Sequence, residues 1–225
     1  MTTSTFSNLE AVIQGDVFPD VDIALRRGRH IGRDDGALYE LVLEAFALLQ
    51  PFYVRFGCEL VHQSDGYFYL RPTSERLGRR HLTVGEMLVG QMCALMYLDP
   101  ASLQTTGVVK REAILQRLSG LVGNDGLVKA LNPLRKKHIE RVSEEKVRNQ
   151  VTDALRKLEE LGFVDLLDQD DVRLRSALMR FVDPVRGTAN IADALQQLVT
   201  RGEVVLGKED GSDADDGDAA TEEPA

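Results

Sequence analysis

Between Ser143 and Arg175 the chain changes its hydrophobic period once, and that change predicts a fold. Val147, Val151, Ala154, Leu155, Leu158 and Leu161 recur at 3.6-residue spacing, so one apolar stripe runs along a predicted helix. Ser143 is placed to cap it, and Glu144 and Glu145 sit in the first turn, where the helix dipole favours anions. Gly162 follows the last periodic residue and can take the left-handed conformation that stops a helix. Phe163 to Leu167 and Val172 to Arg175 then read as two strands around an acidic turn at Asp168 to Asp171. Helix, glycine stop and hairpin together are the second half of a winged helix, or of any helix packed on a hairpin.

The same order occurs earlier. Asp20 can cap a short helix through Leu25 and Arg26, and a basic loop, RRGRHIG, follows from Arg26 to Gly32. Residues 35–57 carry one long helical pattern, with Pro51 inside it, so a kink or restart is expected there. CELVHQ and YFYLRP flank Ser64-Asp65-Gly66 and read as a hairpin. Its aromatic run, Tyr67 to Tyr69, fits a half-buried strand better than a base-stacking surface. Thr83 and Glu86 have the capping-box spacing, and the helix they open is apolar nearly all round to Leu98. Such a helix is expected to be buried on all sides, as a spine between lobes or a subunit interface. A helix over 109–122, a turn at 123–126, a short apolar segment and a basic connector at 133–140 lead back to Ser143. Residues 176–182 and 188–202 are expected to be helical. The expected class is therefore mainly α with small β-hairpin wings (α+β), as tandem winged-helix domains. The division is a flexible 1–16, a first unit at 17–81, an apolar linking helix at 82–100, a second unit at 101–206 and a tail at 207–225.

Composition changes this picture in two ways. Hydrophobic residues make up 43% of 225, enough for a real core, and no apolar run reaches the ~20 residues of a membrane span. MTTSTFSNLE lacks a basic patch followed by an apolar core, so no secretory leader is expected. Cys58 and Cys93 stand alone in apolar surroundings and read as buried small hydrophobes in a cytosolic protein without structural disulfides. The net charge of −9 is concentrated at the end: Lys208 to Ala225 holds eight acids and one lysine. That tail has nothing to bury and is expected to be disordered, and it leaves a nearly balanced body that can carry basic patches.

No catalytic constellation is legible. His30, His62, His81 and His138 have no second ligand at helical spacing, and no phosphate loop, dinucleotide fingerprint or nucleophile elbow is present. Neither an enzyme activity, a metal nor a cofactor is expected. Binding remains. Arg135, Lys136, Lys137, Lys146, Arg148, Arg156 and Lys157 form a candidate DNA-backbone footprint. Arg26, Arg27, Arg29 and His30 are candidate partner contacts. The helix after Ser143 holds five acids against four bases, so any DNA contact is expected to be weak and non-specific.

VFPDVDIALRRGRHIG, FYVRFGCELV with its hairpin GYFYLRPTS, and the helix ending CALMYLDP resemble the MukE family, small accessory subunits of a bacterial condensin. The resemblance spans about Val17 to Glu203 and is most specific over its first 80 residues. It implies tandem winged helices that bind a kleisin (MukF-like), a homodimer, and assembly with an SMC-type ATPase (MukB-like), with DNA contact weak and no membrane. It also implies a cytoplasmic, nucleoid-associated place in DNA loading, chromosome condensation and segregation. The competing class is a winged-helix transcription regulator, for which a basic recognition helix is expected. Glu159 and Glu160 fall where family members are expected to be more basic.

Overall fold

A computed structural model describes residues 6–76, 81–100, 106–120 and 144–182. In order, these are α1 (Leu9–Ile13), α2 (Phe18–Arg26), β1 (Ile31–Gly32), α3 (Ala37–Glu44), α4 (Phe46–Val54), β2 (Cys58–Gln63), β3 (Tyr67–Pro72) and α5 (Val84–Leu98). Then come β4 (Val108–Lys110), a helix α6 over 111–120, α7 (Glu144–Glu160), β5 (Val164–Leu166) and β6 (Asp171–Leu174). Single 3₁₀ turns follow β1 and β5, and a longer one, Ser176–Phe181, follows β6.

The class is α+β, and its two halves share one topology. Among the described residues each has the order helix, short strand, helix, helix, hairpin. Each makes a three-stranded antiparallel sheet in which the first strand pairs with the last, in the orders β1-β3-β2 and β4-β6-β5. The two short first strands are absent from the sequence reading, because two or three residues are too few to show a period. Val108–Lys110 is thus a strand, and the helix expected from residue 109 begins at 111.

Local rules account for most elements. In α7, Val147, Val151, Ala154, Leu155, Leu158 and Leu161 are all buried, as the stripe predicts. Its end is a Schellman motif. Gly162 lies at φ +76°, its N–H bonds the Glu159 carbonyl at 2.9 Å, and the Phe163 N–H bonds the Leu158 carbonyl at 2.9 Å. The 58–72 hairpin has the predicted strands, with Gly66 in its turn at φ +83°. Thr83 and Glu86 form the capping box of α5.

Three expectations are corrected. The 35–57 pattern breaks at Ala45, where the axis turns by 81°, and not at Pro51, which lies inside α4. Pro51 removes one bond, to the Ala47 carbonyl, and both residues face solvent, where that carbonyl can accept from water. Residues before 17 are not featureless: Asn8 caps α1 through a 2.9 Å bond from the Ala11 N–H, and Val12 is fully buried. Helix α5 is not buried on all sides in this chain. Val89, Met92, Cys93, Ala94 and Met96 face the core, whereas Met87 and Leu98 are 38% and 37% exposed. Gly90 lets the Phe181 ring lie directly on the helix backbone.

Two hydrophobic cores result. Val21, Leu25, Ile31, Val42, Leu49, Leu60, Phe68 and Leu70 belong to the first. The second gathers α5, α6, α7, β5, β6 and the 176–181 turn. Strand β3 serves both, since its side chains alternate: Phe68 and Leu70 enter the first core, Tyr67 and Tyr69 the second. The aromatic run is therefore the wall between halves, buried on both faces, and not a stacking surface.

Candidate functional site: the seam and the charged helix

RRGRHIG joins the halves. Arg26 chelates Asp22 through Nε at 2.8 Å to each carboxylate oxygen, and its guanidinium lies 4.4 Å from the Phe56 ring centroid. Arg27 is exposed. Gly28, at φ +83°, reverses the chain so that Arg29 and His30 meet the end of α7. The Leu161 carbonyl, which the helix leaves without an internal donor, accepts both the His30 N–H at 2.8 Å and Nδ1–H at 2.9 Å. That fixes the tautomer: Nε2 is the acceptor, and the Arg180 guanidinium donates to it at 2.6 Å. Arg180 also lies 4.1 Å over the Tyr69 ring, and the imidazole packs 4.3 Å from Phe163.

A carboxylate knot lies beside it. Asp35 accepts from Arg29 at 3.0 Å and from the Gly32 N–H at 2.8 Å, and pairs with the Arg175 guanidinium at 2.8 Å. The Arg175 side chain is 4% exposed, and its Nε lies 3.7 Å from Asp165 and 3.8 Å from Asp34. Of the candidate partner contacts, His30 is buried and Arg29 and Arg26 are engaged internally, so only Arg27 offers a free charge to the surface. Asp35, Arg175 and Arg180 escaped the sequence reading. They stand some 140 residues apart across the two halves, and no local period links them.

Burial pushes the His30 imidazole down to about 3, with the facing Arg180 charge lowering it further and the Leu161 carbonyl opposing. The sign follows from linkage. A folded-state value below the unfolded 6.5 means the unfolded chain binds the extra proton, so stability is complete above about 6.5 and falls as pH drops. Lowering pH from 6.5 to 5 should cost about 2 kcal/mol through this residue, at ~1.4 kcal/mol per unit. Urea titrations of wild type and His30→Gln at both pH values check this. Equal pH slopes in the two proteins would rule out His30 as the source.

The charged helix is less basic in practice than in sequence. Of the candidate DNA contacts, Arg135, Lys136 and Lys137 lie outside the described residues. Lys146 is exposed. Arg148 pairs with Glu112 at 3.0 Å, Arg156 with Asp153 at 3.0 Å and Lys157 with Glu160 at 2.6 Å. Glu159 accepts the Leu166 N–H at 2.9 Å and so ties β5 to α7. The tip of the second hairpin is acidic. Asp171 holds Lys110 at 2.7 Å, and Asp170 holds Arg111. A small cleft between α6, α7 and this tip is lined by Arg111, Arg148, Glu112 and Asp170, whose charges cancel in pairs. Among the described residues no group of three His, Cys, Asp or Glu is placed to hold a metal, and no single helix is long and apolar enough to cross a membrane. The acidic tail expected to be disordered, and the helix expected at 188–202, lie outside the described residues.

Residues 16–186 match the family described as Condensin complex protein MksE. Curated relatives carry the name Chromosome partition protein MukE. The one from Photobacterium profundum is 31% identical over 218 residues, 92% of each chain. That from Vibrio vulnificus is 33% identical over 202 residues, covering 88% of this chain and 86% of its own. That from Escherichia coli K12 is 30% identical over 200 residues, 88% and 85%.

Proposed function

The chain belongs to the MksE family of condensin complex proteins, and we propose that it serves there as the non-catalytic accessory subunit that holds a kleisin and assists chromosome partition. We read its halves as tandem winged helices, the first through β3 and the second from α5 onward, each with its hairpin as the wing. Winged helices that read DNA use a basic recognition helix and a free, cationic wing. One observation carries the reading: both devices are absent among the described residues. In the first wing β3 is covered on both faces and Arg71 is held by Glu59, the second wing tip is acidic, and α7 spends three of its four bases on neighbouring carboxylates. Such a body has shape and apolar surface to offer a protein segment, and little field to offer a duplex. The SMC-type ATPase is reached through the kleisin, the chain acts as a homodimer, and DNA contact is weak and sequence-indifferent.

The test is calorimetry with the cognate kleisin, and with a DNA duplex, at about 0.15 and 0.5 M salt. Four phosphate contacts alone would weaken DNA binding by about two orders of magnitude over that range, because each releases counterions. Apolar burial has no such dependence, so kleisin affinity should change less than about tenfold. A kleisin lost as steeply as DNA, or one that never binds, would make the transcription-regulator reading the better one.

A further inference from the structure

We infer, on the reading that this chain holds a kleisin, that the outer face where α2 and α4 end is the docking surface for a kleisin segment in which large apolar side chains are interspersed with carboxylates. Three of the most exposed large hydrophobics among the described residues stand at the C-terminal ends of α2 and α4. Val54 is 60% exposed, Ile23 48% and Phe56 40%. The Arg26 guanidinium, one helical turn after Ile23, lies over both the Tyr53 and Phe56 rings and so stitches the end of α2 to the end of α4. Cationic groups frame it. Arg27 shares the Ile23 face of α2, Arg55 stands between Val54 and Phe56, and Arg76 reaches the Arg55 carbonyl at 3.4 Å. Among the described residues Arg27, Arg55 and Arg76 pair with no carboxylate, whereas Arg26, Arg29, Arg71, Arg148 and Arg175 all do. Helix ends attract cations through the dipole, which accounts for arginines at these positions but not for bare Val54 and Phe56.

Charge and hydropathy together select the occupant. Duplex DNA would use the arginines and gain nothing from an exposed valine and phenylalanine. The chain's own Lys208 to Ala225 has carboxylates but no Val, Leu, Ile, Met, Phe or Tyr to fill the patch. A second copy placed on the same face would set one cationic frame against the other, since a two-fold contact puts each patch on itself. An acidic, apolar segment of a partner satisfies both halves of the surface.

The experiment is calorimetry of wild type, Val54→Gln/Phe56→Ser and Arg27→Glu/Arg55→Glu against the cognate kleisin, and against a DNA duplex, at about 0.15 and 0.5 M salt. Both double variants should bind at least tenfold more weakly, the second also with a flatter salt dependence. Arg27→Glu/Arg55→Glu should melt close to wild type, because both side chains are exposed, and Val54→Gln/Phe56→Ser should stay folded but melt somewhat lower, because Phe56 gives up its contacts with Arg26 and Phe52. Kleisin binding by Val54→Gln/Phe56→Ser at wild-type strength would overturn the surface and leave the functional reading intact. No binding by wild type would overturn the functional reading itself. A halved mass by light scattering in the first variant would make the patch a contact between copies, and a loss confined to DNA binding would make it a phosphate site. Either result also ends the proposal.

Discussion

Gly162→Ala should lower the melting temperature by about 6–12 °C, far more than a methyl group at a helix end usually costs. Two effects add. Gly162 lies at φ +76°, where an L side chain is strained by roughly 1 kcal/mol. The added Cβ would also stand 2.3 Å from the His30 carbonyl oxygen and 3.2 Å from Arg29 Cγ. The oxygen cannot rotate away, because it belongs to backbone that the Leu161 carbonyl grips at 2.8 Å through the His30 N–H. Relief therefore requires α7 to lift off the loop, which releases the two His30 bonds at about 1 kcal/mol each. The sum is about 3 kcal/mol, and a chain of this size loses roughly 2–4 °C per kcal/mol. Gly107→Ala is the internal control. Gly107 also has positive φ, at +73°, but its Cβ position meets only the Leu174 carbonyl oxygen, at an ordinary 3.4 Å. It should show the backbone strain alone, roughly 1 kcal/mol. Equal melting shifts in the two variants would mean that the close approach of α7 to the loop contributes nothing.

That glycine marks where local reading succeeds and where it stops. Gly162 was legible as a helix stop because a Schellman end follows from the residues on either side of it. Its second role, letting a loop from 130 residues earlier touch the helix backbone, leaves no trace in spacing. The hairpin at 58–72 was legible to the residue, since period-two alternation around a glycine turn is a local signal. What that strand does was not. Tyr67 and Tyr69 alternate with Phe68 and Leu70 as any half-buried strand would, and only the presence of a second core shows that both faces are covered. The break at Ala45 was misplaced onto Pro51 because proline is the stronger local signal. The turn is instead set by how α3 and α4 pack on the sheet, with Leu41, Val42 and Leu49 all buried. The candidate contacts suffered the same limit. RRGRHIG reads as a cationic surface loop, and its histidine is in fact the cap of a distant helix. The charge of α7 reads as a phosphate footprint until its neighbours are known, and those neighbours are carboxylates one turn away or across the cleft to α6.

Asp35→Ala should destabilise the protein by about 3–5 kcal/mol, and Arg175→Met should rescue much of that loss. Asp35 is the carboxylate that closes the seam: it takes hydrogen bonds from Arg29 and the Gly32 N–H and forms an ion pair with Arg175 at 2.8 Å. Removing it takes from Arg175, with 4% of its side chain exposed, its closest carboxylate, and leaves Asp34 and Asp165 at 3.8 and 3.7 Å from Nε, beyond hydrogen-bond reach. A buried charge left poorly compensated is what makes one-sided removal costly, and replacing both partners with packed apolar groups is much less so. Arg175 already has Nη1 buried without a hydrogen-bond partner, so methionine loses less there than the charge suggests. Arg175→Met alone should cost less than Asp35→Ala, because Asp35 keeps Arg29 and the Gly32 N–H. Chemical denaturation of the four proteins gives the coupling directly. The double variant should be more stable than Asp35→Ala. A double variant whose loss equals the sum of the singles would mean that the buried ion pair does not couple the halves, and that the aromatic wall of β3 and the His30–Leu161 bonds hold them without it.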